Sequence, residues 1–217
     1  MDSTIQQGYH TAYTLAAQAF ALADPVVCAR LCGAEYLVKQ ACLRLPYLHQ
    51  PYLIYWPSAT VRHADTGEGA PLAVQVLLLN YVLHANGQHP SGALIAFREI
   101  PGAATYDGPF NKRALSPLVK TFEGQGPLLL AVAAMLGGSP ASVADVSVTL
   151  PVLALLPVTY GIWHGDDEFP ASGAILFDAS ARKLLTIECQ VVAASNGVYA
   201  MMKAARMLNK SASVTRP

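Results

Sequence analysis

The most informative stretch of the sequence reads YGIWHGDDEFPASGAILFD, from Tyr160 to Asp178. Apolar, β-branched residues lead into it, three consecutive acids interrupt it, and a short apolar run follows before it ends on another acid. This pattern predicts two buried strands, over 152–162 and 174–177, separated by a polar segment. Functional sites are often built where buried strands end, so these carboxylates are the first candidates for a functional role.

The composition limits the class of protein. The chain has 217 residues, of which 13% are charged and 53% are apolar, and its net charge is zero. This length suits one domain whose core needs no disulfide or structural metal. Zero net charge provides no attraction to nucleic acid or to an anionic membrane, so we expect neither as a partner. So few charges have two explanations. The one we favour is that part of the surface is buried, either in a homo-oligomer or against a protein partner. The other is a large apolar ligand pocket.

The cysteines and the apolar runs bear on location. Four cysteines occur, at positions 28, 32, 42 and 189, and the first residues lack the basic and apolar regions of a signal peptide. We therefore expect reduced thiols and a cytoplasmic protein. The longest uninterrupted apolar helical segments, 72–85 and 128–136, are shorter than the about 20 residues that a membrane span needs. They are better interpreted as buried core helices.

Hydrophobic periodicity predicts a mixture of helices and strands. Helices are predicted over 4–23, 26–31, 72–84, 111–122, 128–136 and 185–208, and Gly197 could divide the last into two. Strands are predicted over 35–45, 52–55, 59–63, 92–97, 146–150, 152–162 and 174–177. The order has no regular βαβ alternation. We therefore expect a single α+β domain, residues 1–217, with a mixed or antiparallel sheet packed by apolar helices.

Individual residues predict several boundaries. Asp24 followed by Pro25 predicts the cap and first turn of a helix that Gly33 ends. Pro46 and Pro51 are expected to bound a turn. Further predictions are a hairpin between 52–55 and 59–63, loops over 65–69 and 100–108, and a frayed tail over 211–217.

Several short motifs, taken in order, resemble those of one family. They are GAEY at 33–36, PLAVQVLLL at 71–79 with Tyr81, FREIPG at 97–102 with Tyr106, Phe110 and Arg113, WHGDDEFP at 163–170, and ILFDAS at 175–180. Each motif is weak alone, but the ordered set covers residues 24–192. It resembles an uncharacterised family of anaerobic bacteria and archaea, domain of unknown function 3786.

The family has no assigned activity, so the resemblance implies a metabolic setting and not a reaction. Some members carry an additional iron–sulfur domain like those of corrinoid proteins in one-carbon metabolism, which makes a corrinoid or other tetrapyrrole a candidate cofactor. This sequence has no Cys-x2-Cys run of that kind. It also has His164 where the family pattern has a carboxylate, and Ala104 or Thr105 where that pattern has an aromatic residue.

The acidic residues support two interpretations. Asp166, Asp167 and Glu168 are adjacent, so in an extended segment their side chains alternate and at most two face one site. Together with Asp178 and His164 they could bind a divalent cation or transfer protons. Crowding raises the pKa of a carboxylate, so Asp167 or Glu168 would then be the catalytic group. The alternative, which we favour, is an acidic turn without a binding role.

A second polar group surrounds two arginines. Arg98 ends a predicted strand and Arg113 opens a predicted helix, and two guanidiniums near a helix N-terminus can hold a carboxylate or a phosphate. Glu99 and Tyr106 lie close to them in sequence. The alternative, slightly favoured, is structural pairing of either arginine with Glu99 or with the acidic cluster, because a buried charge needs a partner.

Cysteines and histidines offer weaker candidates. Cys28 and Cys32 share a helix face and Cys42 could join them, but their spacing matches no common zinc or iron–sulfur pattern, so we expect buried free thiols. His84 and His89 flank a turn and could hold a metal, or His84 could ligate haem or a corrinoid axially. Surface histidines are the favoured interpretation.

These observations lead to three expectations about function. The common nucleotide-binding, hydrolase and zinc-protease motifs are absent from the sequence. We expect first a ligand-binding or cofactor-binding accessory protein of anaerobic metabolism, acting as an oligomer or with a partner. Its polar pocket would comprise Arg98, Glu99, Tyr106, Arg113, Trp163, His164, Asp166, Asp167, Glu168 and Asp178. The alternatives are an enzyme with a carboxylate acid/base and an arginine-held anionic substrate, or a structural subunit.

Overall fold

The backbone is described for residues 3–214 of a computed structural model, and the side chains for residues 6–210. Its helices are α1 Ser3–Leu22, α2 Pro25–Cys32, α3 Leu72–His84, α4 Asp107–Phe110, α5 Ser116–Phe122, α6 Gly126–Met135, α7 Ala181–Leu184 and α8 Ile187–Val214. Its strands are β1 Glu35–Leu37, β2 Cys42–Tyr47, β3 Gln50–Tyr55, β4 Val61–His63, β5 Leu94–Ala96, β6 Ser139–Ala141, β7 Val146–Leu153, β8 Leu156–Trp163 and β9 Ser172–Asp178. Short 3-10 turns cover Val38–Gln40, Phe97–Glu99 and Ala103–Tyr106, and a π-helical turn covers Asn111–Leu115.

The strands form two antiparallel sheets. The small sheet has the order β1-β2-β3-β4, and the large sheet has the order β5-β9-β8-β7-β6. Helices cover the large sheet, with α5, α6 and α8 in contact with its strands. The α+β class is therefore confirmed in one domain, with two sheets where the sequence suggested one.

Helix α3 lies at the centre of the fold. It contacts α1, α2, α7 and α8, and seven of its thirteen residues are buried. Its polar side chains form hydrogen bonds with nearby backbone carbonyls: Gln75 donates to the Ala70 carbonyl at 2.7 Å and Asn80 donates to the Val76 carbonyl at 2.9 Å. A helix that is apolar on nearly every face is stable only when other elements surround it, as the sequence predicted.

The predicted caps of α2 are confirmed. Asp24 Oδ1 accepts hydrogen bonds from the backbone N–H groups of Val26 and Val27, at 2.8 and 3.2 Å. Pro25 occupies the first turn, where its missing N–H costs nothing. Gly33 ends the helix with φ of 75°, a conformation that disfavours any residue with a Cβ.

The prolines of the first hairpin do not bound its turn, so that prediction is wrong. Pro46 and Pro51 lie inside β2 and β3 and face each other in register. The turn is Leu48–His49, and both residues have positive φ, 49° and 63°. Such a two-residue turn normally contains asparagine or glycine. Here the backbone N–H of Leu48 donates to the Val152 carbonyl at 3.0 Å, which fastens the turn to β7.

Other boundaries differ from the prediction. The strand predicted over 35–45 is divided into β1 and β2 by a 3-10 turn, and the strand predicted over 152–162 contains the turn between β7 and β8. The loop predicted over 100–108 is largely helical, and the helix predicted over 111–122 begins with the π-helical turn. The hairpin between β3 and β4 is confirmed.

Helix α8 continues through Gly197 to Val214, so the frayed tail predicted from residue 211 is wrong for 211–214, and residues 215–217 lie outside the described range. Among the described residues, no single helix has the length and hydrophobicity to cross a membrane, and the pair Gln6–Leu22 and Pro25–Cys32, which passes that test jointly, is bent by 112°.

Candidate functional site

A cleft of about 790 Å³ lies between α1 and α3, and we call it the α1–α3 cleft. Helix α1 lines it with Gly8, Tyr9, Ala12, Leu15, Ala16 and Ala19, and α3 lines it with Val76, Asn80, Leu83 and His84. The segment around α4 and the start of α8 add Tyr106, Pro109, Arg113, Thr186, Glu188 and Cys189. Clefts of this size hold small molecules in many proteins.

The apolar wall that α1 contributes to the cleft consists mainly of small residues at helical spacing. Gly8, Ala12, Ala16 and Ala19 recur every three or four positions, so they lie on one face of the helix. Their short side chains leave space that leucine or phenylalanine would fill. The facing side of α3 uses the same spacing over 76–83. The cleft is therefore a consequence of which residues α1 presents to α3.

Three polar side chains meet in the cleft, and we call them the Tyr9–Glu188–Arg113 cluster. Arg113 Nη1 donates to Glu188 Oε1 at 2.9 Å, and the Tyr9 hydroxyl donates to the same oxygen in a short hydrogen bond. The ion pair is half-buried, with 35% of the Arg113 side chain and 30% of the Glu188 side chain exposed. The cluster therefore joins α1, α8 and the π-helical turn through one carboxylate oxygen.

Local structure positions each member of the cluster. Glu188 lies in the first turn of α8, where the helix dipole stabilises a negative charge. Thr186 Oγ1 caps that turn by accepting from the Cys189 N–H at 3.4 Å. Arg113 lies in the π-helical turn, a distortion that is frequent at functional sites.

Protonation within the cluster follows from its contacts. Burial, followed by the hydrogen bond to Glu188, raises the pKa of Tyr9 to about 12, so its hydroxyl stays protonated and donates. Burial alone would lower the pKa of Arg113, but its interactions with Glu188 and Tyr9 raise it. The cluster thus contains one fixed positive charge beside one carboxylate.

His84 and Cys189 complete the polar part of the lining. His84 Nδ1 lies 2.8 Å from the Asn80 carbonyl, which can only accept, so Nδ1 carries a proton and Nε2 is the acceptor nitrogen of the neutral ring. Burial raises the pKa of the Cys189 thiol to about 11, although its hydrogen bond with Thr186 acts in the opposite direction and lowers that pKa. A thiol that stays protonated is a poor nucleophile, so Cys189 is suited to packing rather than to covalent catalysis.

The three consecutive acids form an exposed turn. Asp166 Oδ1 accepts from the backbone N–H groups of Glu168 and Phe169, at 2.9 and 2.7 Å. These two hydrogen bonds lower the pKa of Asp166, and the bond from Phe169 has the larger effect. Asp167 and Glu168 are exposed beside it. This is the geometry of the favoured interpretation, an acidic turn.

Asp178 lies at the other end of β9 from this turn, about 20 Å away at the usual rise per strand residue. It is buried, and its carboxylate accepts from the N–H groups of Ser91, Gly92 and Ser180 at 3.0, 2.6 and 2.9 Å. Burial alone would raise the pKa of Asp178, but the hydrogen bonds from these residues lower it to about 2. Asp178 therefore fastens the loop before β5 to β9 and does not converge with the acidic turn.

The remaining predicted residues are dispersed. Arg98 is exposed and lines a smaller cavity of about 260 Å³ beside Asp107 and Asn111. Glu99 accepts from the Ala96 N–H at 2.5 Å. Trp163 is 39% exposed at the end of β8, and the His164 N–H donates to Asp145 Oδ2 at 2.9 Å. Of the predicted pocket, Tyr106 and Arg113 therefore line the α1–α3 cleft and the rest lie elsewhere.

The cysteines are free, and Cys32, Cys42 and Cys189 are buried. Burial raises the pKa of Cys32 to about 11 and also raises that of Cys28 and Cys42. Within the described part of the chain, no group of three or more His, Cys, Asp or Glu side chains could hold a metal ion.

Tyr9 and Glu188 were not anticipated from the sequence. They are 179 positions apart, and neither belongs to a recognisable motif. The small residues of α1 were the available indication, because a helix that presents glycine and alanine to a neighbour often leaves space or permits close approach. That pattern alone does not distinguish the two outcomes.

The structure defines an α+β protein with two antiparallel sheets and a ligand-sized cleft beside a central apolar helix. The chain belongs to the family described as domain of unknown function DUF3786, whose model matches residues 24–200. No curated protein and no solved structure matches the chain. The matched range includes α3 and Glu188, whereas α1, with six residues of the cleft, precedes it.

A corrinoid does not fit the lining of this cleft. Its rim carries many amide side chains, and each needs a hydrogen-bonding partner when it is taken out of water. The polar side chains of the cleft are few, and those of the Tyr9–Glu188–Arg113 cluster already bond to one another. A smaller molecule with a mainly apolar body fits the same walls.

Proposed function

We propose that this protein binds a small, mainly apolar molecule in the α1–α3 cleft. The observation that carries the proposal is a cleft of about 790 Å³ with apolar helical walls and one localised polar cluster. Binding sites commonly combine an apolar surface, which supplies affinity, with a few polar groups, which fix orientation. The apolar walls of α1 and α3 and the Tyr9–Glu188–Arg113 cluster would serve these two purposes.

The proposal is for a binding protein and not for an enzyme. Two potential nucleophiles in the cleft, the Cys189 thiol and the Tyr9 hydroxyl, both have raised pKa values and stay protonated. Glu188 Oε1 already accepts hydrogen bonds from two side chains of the cleft, so that oxygen is occupied by structural contacts. The chemistry of the lining therefore favours retention of a ligand over its conversion.

The proposed role is that of a cytoplasmic accessory protein of anaerobic metabolism, acting as an oligomer or with a protein partner. Its low charge supports an additional interface. Several large apolar side chains are also exposed, among them Leu22 at 91%, Val38 at 76% and Phe169 at 67%. Native mass spectrometry would give the subunit count, and a monomer that purifies without a partner would contradict this part of the proposal.

A cavity-filling variant tests the cleft itself. Ala12→Phe places an aromatic ring in the cleft, whereas Gln18→Phe adds the same ring to an exposed position of α1 that does not line it. Binding of the neutral dye Nile red is measured by fluorescence titration, with thermal melting as the check on folding. We expect Ala12→Phe to weaken binding at least tenfold and Gln18→Phe to leave it unchanged.

Two results would contradict the proposal. One is a wild-type protein that does not bind the dye, and the other is an Ala12→Phe variant that binds it as the wild type does. Protein purified without oxygen should also be examined by native mass spectrometry and ultraviolet–visible spectroscopy. Added mass that Ala12→Phe lacks would identify the natural ligand.

A further inference from the structure

We infer that the ligand of the α1–α3 cleft is uncharged: a mainly hydrocarbon molecule that carries one hydroxyl or carbonyl oxygen. The inference rests on the proposed function and adds the chemical class of the ligand. It follows from the charges of the lining, from the way in which those charges are paired, and from the hydrogen-bonding capacity that the pairing leaves unused.

The charges of the cleft balance each other. Among the described residues that line it, Arg113 is the one arginine or lysine and Glu188 is the one carboxylate. They form an ion pair at 2.9 Å, and Tyr9 donates to the same carboxylate oxygen. With His84 in its neutral form, the lining therefore presents a dipole and has no net charge to offer a ligand.

A charged ligand would gain little from this dipole. A carboxylate placed against Arg113 would also come close to Glu188, whose repulsion opposes the attraction. An ammonium group placed against Glu188 would meet the reverse combination. Either ion would lose hydration between apolar walls without a free counter-charge, and burial of such an ion is unfavourable.

A neutral oxygen matches what the cluster leaves unused. Arg113 has five N–H donors; its contact with Glu188 uses one and its hydrogen bond with Tyr9 uses another, so further donors remain. Those donors can bond to a hydroxyl or carbonyl oxygen without separating the ion pair. In the neutral ring, His84 Nε2 is the acceptor nitrogen and can accept from a hydroxyl. The carbon skeleton would then pack against Ala12, Ala16 and the facing residues of α3.

Three ligands of equal chain length test the inference. The probes are 1-decanol, used below its solubility limit, and decanoate and decylamine, used below their micelle-forming concentrations; each is used to displace Nile red from the intact protein. The assay is run at pH 8, above the range in which histidines commonly titrate. We expect decanol to bind the wild type at least tenfold more tightly than either ion.

Two variants extend the test by unbalancing the pair. Glu188→Gln removes the carboxylate and leaves the charge of Arg113, so decanoate should gain at least tenfold relative to decanol. Arg113→Met leaves Glu188 without its counter-charge, so decylamine should gain relative to decanol. Thermal melting identifies a variant that does not fold, and the wild-type series then decides alone.

The outcomes separate this inference from the function on which it rests. Wild-type protein that binds decanoate or decylamine as tightly as decanol, or more tightly, would overturn the inference and leave the cleft as a binding site. Protein that binds neither the dye nor any of the three probes would overturn both.

Discussion

Replacement of Gly197 by alanine should destabilise the protein, although helix propensity alone predicts the opposite. Gly197 lies in the middle of α8, where alanine is favoured over glycine by about 1 kcal/mol. A Cβ at this position would lie 2.0 Å from the hydroxyl oxygen of Tyr160 and 2.8 Å from its Cζ. Atoms cannot approach so closely, so either the tyrosine or the helix must move.

Neither movement is easy. Tyr160 is fully buried on β8, an inner strand of the large sheet, and its hydroxyl donates to the Ala194 carbonyl at 3.2 Å. Overpacking of a core costs about 1–3 kcal/mol, and a lost hydrogen bond costs about 1 kcal/mol. Since the clash is severe, we expect a net loss of about 2–3 kcal/mol after the gain in propensity. In a chain of this size each kcal/mol lowers Tm by about 2–4 °C.

Urea and thermal unfolding measure this effect. Gly8→Ala is the matched control, because it is also helical and a Cβ there meets nothing within 4 Å, so alanine should stabilise by up to about 1 kcal/mol. Tyr160→Phe removes the clashing oxygen, so the double variant with Gly197→Ala should recover part of the loss. A Gly197→Ala protein as stable as the wild type, or more stable, would refute the reasoning.

Three further predictions concern polar groups. Asp178 has a folded pKa of about 2, below the value near 4 of an unfolded aspartate, so its contribution to stability is present above pH 4 and is lost as the pH falls toward 2. Between these pH values, urea unfolding should show a loss of stability about 2 kcal/mol larger in the wild type than in Asp178→Asn. Equal losses in the two proteins would contradict this prediction. Tyr81→Phe removes the acceptor of the buried Leu155 N–H, at 3.0 Å, and should lower the free energy of unfolding by about 1–3 kcal/mol; an unchanged urea midpoint would count against this. Glu168→Gln, in the exposed acidic turn, should leave Nile red binding and Tm unchanged, whereas lost binding or a lost activity would support the acidic residues as a site.

The sequence predicted those features that depend on neighbouring residues. Helix α3 was predicted with its observed bounds because a long apolar run without proline or glycine can hardly form anything else in a core. The start of α2 was predicted because Asp24 and Pro25 act on N–H groups two and three positions away. The acidic stretch was favoured as a turn on its composition, and the hydrogen bonds of Asp166 have that form.

Features that depend on distant contacts were decided by the tertiary structure. The Leu48–His49 turn contains no typical turn residue, and its attachment to β7 joins positions far apart in the chain. Asp178 was predicted to meet the acidic cluster, but β9 separates the two by its whole length. Proximity in sequence therefore did not predict which carboxylates share a site.

The α1–α3 cleft shows the same division. The sequence by itself determined that α1 is a helix with a stripe of small residues, because helical spacing is a local property. Tertiary packing determined that the stripe faces α3 across open space, and that Tyr9 reaches a carboxylate 179 positions away. Local interactions fix the backbone of each element. The site instead depends on how the elements pack, and burial of apolar surface, which drives that packing, is not directional and specifies no particular pair of residues in advance.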